Sequence, residues 1–113
     1  MAKTAAAEFT DPLADLRAAY LGRLRNRANG LTEFLVTCRD RSPDEAMIAE
    51  YHRCVHSMVS SAAIFGHARL SALARDAERA FEAFAETGKM SLVRQIEDLV
   101  FEAEVVIKSA RSR

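Results

Sequence analysis

The chain has little that interrupts a helix: two prolines and four glycines among 113 residues. β-Branched residues are sparse, and no segment alternates apolar and polar positions as a half-buried strand does. A parallel or antiparallel sheet is therefore not expected. Cysteine is nearly absent. Cys38 and Cys54 stand sixteen positions apart, a spacing that fits neither a metal knuckle nor a redox pair. Cys54 lies inside a helical pattern, where a free thiol behaves as a small hydrophobe, and a reducing compartment is expected. Net charge is zero, so bulk charge gives no case for a nucleic-acid partner. No stretch approaches the ~20 apolar residues of a membrane span. Met1 to Phe9 lacks the apolar core of a signal peptide, so the expected location is cytoplasmic. Neither G-x-x-x-x-G-K nor a glycine-rich loop occurs, so no nucleotide site is expected.

What is present is half hydrophobic and 28% charged, an ordinary balance for one folded domain. Four apolar stripes recur at steps of three or four. The first runs through Leu13, Leu16, Tyr20, Leu24, Ala28, Leu31, Leu35 and Cys38. Asp11-Pro12 gives its start signal, and the helix is expected to pass through Gly30. The second runs through Met47, Tyr51, Val55, Met58, Ala62 and Phe65, with Ser42 and Glu45 forming a capping box before it and Gly66 ending it. The third holds Leu70, Leu73, Ala77, Phe81 and Phe84, closed by Gly88. The fourth, capped by Ser91, holds Leu92, Ile96, Leu99, Ala103, Val106 and Ala110. Short links make neighbours antiparallel. The expected fold is an all-α, up-down-up-down four-helix bundle over residues 10–113, behind a flexible tail at 1–9. The basic stretch Arg17, Arg23, Arg25 and Arg27 and the acidic stretch Glu97, Asp98, Glu102 and Glu104 read as solvated helix faces.

His56 falls one ~100° step from Val55 on the second helix, at the edge of the buried stripe or outside it. Its face continues through Ser60 and Ala63, both small, leaving room for another protein to approach the ring. The run from His56 to Gly66 resembles the phosphorylation segment of histidine-containing phosphotransfer (HPt) domains, roughly H-x-L-K-G-S-A-x-x-[LF]-G. His56 takes the histidine position and Met58 the apolar one. Ser61 and Ala62 form the small pair, Phe65 is the large apolar residue, and Gly66 is the final glycine. The resemblance is good over about 25 residues and extends to Leu70 and Leu73. It departs at Val59, where the family often has lysine, and at Ser60, where it often has glycine.

The resemblance implies a phosphocarrier rather than an enzyme. His56 would accept a phosphoryl group from, and return it to, a receiver-domain aspartate of a response regulator or hybrid histidine kinase. Imidazole, with a reference pKa of about 6.5, offers a free nitrogen near neutral pH. Phosphoryl transfer needs mainly positioning and charge neutralisation, so Mg²⁺ is expected on the partner and no cofactor on this chain. His52, Arg53, Val59, Ser60 and Ala63 are the expected docking neighbours, with Arg53 in part replacing the missing lysine. No nucleic-acid or membrane partner is implied, and a monomer is expected. Two other function classes stand beside this one. A non-phosphorylated adaptor would use the same face for binding alone. His52 and His56, at i and i+4, also have the spacing of a metal pair; a third ligand would have to come from elsewhere, such as His67, so no metal site is assigned.

Overall fold

A computed structural model describes residues 11–111; the tail expected at residues 1–9 lies outside them. Four helices follow one another: α1 (Pro12–Asp40), α2 (Glu45–Ile64), α3 (Ala68–Glu82) and α4 (Phe84–Arg111). No strand occurs among the described residues. The bundle measures 62 × 24 × 24 Å. α3 packs on both α2 and α4, α4 packs on α1, and α1 and α2 touch least. This is the antiparallel four-helix arrangement that short links require.

The helix starts follow local chemistry. The Asp11 carboxylate accepts from the Leu13 N–H at 3.0 Å, and Pro12 fills the first turn. At α2 the cap is Asp44, not Ser42. Its carboxylate accepts from Met47 N–H at 2.8 Å. Pro43 is buried in the link, which leaves Ser42 outside the helix and dissolves the expected box. α2 ends as expected. His67 N–H donates to Ala62 C=O at 2.8 Å and Gly66 N–H to Ala63 C=O at 3.1 Å, with Gly66 at φ +81°. This paired bonding closes a helix through a left-handed glycine.

Gly88 does not end α3. That helix stops at Glu82, and a short turn at the start of α4 is held by Ala83 C=O, which accepts from Glu86 and Thr87 N–H, each at 2.9 Å. Gly88 is a break inside α4, at φ 81°, and Ser91 lies in the first turn beyond it.

The core contains most of the expected stripe residues, with Met47, Tyr51, Phe65, Leu73 and Phe84 half-buried at its margin, and it shifts at the ends and on α1. Leu13 and Leu16 are more than half exposed, because the first turns of the long α1 have nothing packed over them among the described residues. Phe34 is fully buried in place of Leu35, which is half-buried. Near the end of α4, Val106 and Ile107 are buried while Ala110 is exposed. Tyr20 stacks on Phe65, with ring centroids 4.3 Å apart, and thereby ties α1 to the end of α2. Full burial of a Leu or Phe contributes about 1.5–3 kcal/mol, so the contiguous core anchors α2 and α3 together. No described helix is long and apolar enough to cross a membrane.

Candidate functional site

The site is built on the α2–α3 hairpin. Two antiparallel helices joined by a tight link bring together residues whose numbers have a near-constant sum. Ser71 donates its hydroxyl to Val59 C=O at 2.7 Å and fixes that register. Further from the link, one turn along α2 and two along α3, Glu78 lies opposite His56. Another turn on, Glu82 lies opposite His52 at 3.4 Å.

His56 is exposed, its side chain 71% accessible, whereas Glu78 is 17% accessible. A ring buried against the core would have had no access to a partner protein. Val55 and Met58 instead face the core on either side of it. The Nδ1 of His56 and the Oε2 of Glu78 share a hydrogen bond. An ionised carboxylate only accepts, so Nδ1–H donates. With that proton on Nδ1, Nε2 of a neutral ring carries the lone pair. The recessed carboxylate orients the ring.

The other expected site residues divide. Ser60 and Ala63 are exposed on the His56 side of α2. Ala63 also borders a shallow groove with Gly66, Ala68, Ser71 and Arg75. Val59 is half-buried and packs against the core. The carbonyl of Arg53 accepts from the Ser57 hydroxyl at 3.1 Å, while its exposed side chain has no hydrogen-bond or ion-pair partner among the described residues. His52 and His56, the alternative metal pair, each turn toward carboxylates of α3. His52 Nε2 faces Glu82 and Glu78, at 3.4 and 3.8 Å. His67, the suggested third ligand, is held 5.7 Å from Tyr20 in a ring stack.

Sequence reasoning missed Glu78 and Glu82. The one available signal was hairpin register. Glu78 sits between the core positions Ala77 and Phe81, as far along the chain from His67 in the turn as His56 is.

The family model for the Hpt domain matches residues 6–107. The chain belongs to the Hpt domain family. That family comprises phosphocarriers of two-component phosphorelays, which interact with receiver domains and histidine kinases. No curated protein and no solved structure matches this chain.

Proposed function

We propose that this Hpt domain carries a phosphoryl group on Nε2 of His56 between receiver-domain aspartates. The observation that supports it is the exposed ring whose Nδ1–H is held by Glu78. The Nε2 lone pair attacks phosphorus of an aspartyl phosphate in line. The N–P bond forms as the P–O bond to the partner's aspartate breaks, and that electron pair returns to the aspartate carboxylate. The ring then carries positive charge, which Glu78 stabilises across the hydrogen bond. Return transfer is the reverse. No proton has to leave Nδ1 in either direction. Mg²⁺ would belong to the receiver, where acidic groups would hold it and it would neutralise the phosphoryl charge. The expected setting is cytoplasmic.

The deciding experiment incubates the chain with a ³²P-labelled receiver, or with a hybrid kinase and ATP. The parent takes up label and the His56→Gln variant, equally helical by circular dichroism, takes up none. Label on the variant would overturn the assignment. Binding to the receiver without any label on the parent would instead establish an adaptor.

A further inference from the structure

We propose that His52, Glu78 and Glu82 form a zinc site beside the phosphorylatable histidine. Glu78 and Glu82 are one helical turn apart on α3, and His52 reaches them from α2. One donor atom from each lies within 4.8 Å of the others. The His52–Glu82 spacing matches that of donors sharing an ion, and the His52–Glu78 spacing is slightly wider. Tetrahedral zinc with donors about 2.0–2.1 Å away sets those donors roughly 3.3–3.5 Å from one another. Hydrogen-bonded nitrogen and oxygen lie nearer, at about 2.9 Å. His52 Nε2 is 3.4 Å from Glu82 Oε2 and 3.8 Å from Glu78 Oε2.

A second observation comes from His52 itself. Its Nε2 is shut off from solvent and makes no hydrogen bond to any described residue. Such an atom is costly unless something binds it. A cation between the three donors supplies that partner. Imidazole with two carboxylates suits zinc better than magnesium or calcium, which favour all-oxygen shells of six or more ligands. Glu82 is 56% exposed, so an ion can enter from solvent. Three protein ligands also leave a fourth position for water.

The site is coupled to His56 through one atom. Glu78 Oε2 faces both His52 Nε2 and His56 Nδ1. Zinc on that oxygen draws off the charge that would steady the His56 ring. Zinc therefore weakens the hold on His56. This coupling rests on the proposed carrier role; metal binding does not.

The test uses the full chain stripped of metal and titrated with zinc chloride by calorimetry. The parent binds one equivalent in the micromolar range or tighter. His52→Ala and Glu82→Gln each weaken binding by roughly tenfold or more, and circular dichroism checks that both remain helical. Glu82→Gln alters only an exposed, isosteric side chain and keeps the test valid if His52→Ala fails to fold. His56→Gln retains the site, which separates it from a His52/His56 pair. Absence of binding by the parent would overturn the proposal and leave His52 as a weak ion-pair partner. So would undiminished binding by folded His52→Ala or by Glu82→Gln, or equal losses in His56→Gln and His52→Ala. In the parent, zinc also shifts the His56 ring resonances, an effect absent from the Glu82→Gln variant at the same zinc concentration. Zinc binding without label uptake by His56 would sink the carrier role and leave the metal site standing.

Discussion

Two imidazoles converge on one oxygen of Glu78, and only one of them makes a hydrogen bond to it. That asymmetry gives Glu78 a definite task. Glu78→Gln keeps an acceptor for Nδ1–H but removes the charge, and charge-assisted bonds are roughly twice as strong as neutral ones. Label transfer to His56 should fall roughly tenfold in that variant, and on the order of 100-fold in Glu78→Ala. Rates measured against a labelled receiver check this, and Glu78→Ala transferring as fast as the parent would contradict it. The exposure of His56 was legible from its offset to the stripe. Glu78 was not, because its role depends on packing between helices, and no local pattern distinguishes it from any other glutamate flanking a core position.

Helix ends show how far local chemistry can be read. Ser42-Pro43-Asp44-Glu45 contains two possible caps, and local rules favour the serine box. Burial of Pro43 decides for Asp44, and burial is a tertiary property. Asp44→Ala should therefore lower unfolding stability by about 1 kcal/mol, while Ser42→Ala should stay within about 0.5 kcal/mol of the parent. Urea denaturation of the two variants distinguishes the caps. Glycine gives a matched pair. At Gly66 a Cβ would meet nothing within 4 Å, but φ is +81°, so Gly66→Ala should cost about 1 kcal/mol through backbone strain alone. Gly30 is inside α1, where a Cβ would make ordinary contact with Tyr51 Cε1 at 3.7 Å. Gly30→Ala should stabilise by about 0.5–1 kcal/mol. Opposite shifts in thermal midpoint are the expected outcome. The sequence pattern marked both positions, but only backbone geometry separates them.

Across the whole molecule, burial pushes four weak acids in one direction. Desolvation raises Tyr20, opposed by Arg27 and Arg23. It also raises Cys38, opposed by Lys89. At Tyr51 desolvation leads, and Glu50 and Glu33 add to it. At Cys54 it leads again, with Arg27 opposing and Glu50 adding. Each group holds its proton more tightly in the fold than in the unfolded chain. Below the unfolded thiol value, near pH ~8.5, all four are protonated in both states and none of this stability is lost. As pH rises above that value the unfolded chain ionises first and stability drops. The urea midpoint should fall between about pH 8.5 and pH 10.5, and these four groups should contribute no change between pH 5 and pH 8. The helix count, the antiparallel order and most of the core were readable because four stripes need one another. The exposed first turns of α1 were not, since periodicity records which face is apolar and not whether a neighbour is long enough to cover it.

The α2–α3 hairpin carries His52, His56, Glu78 and Glu82 within one unbroken stretch of chain. Geometry at the imidazole is thus inherited as a single piece. Substitutions on the outer surfaces of α1 and α4 leave it intact so long as the pedestal holds.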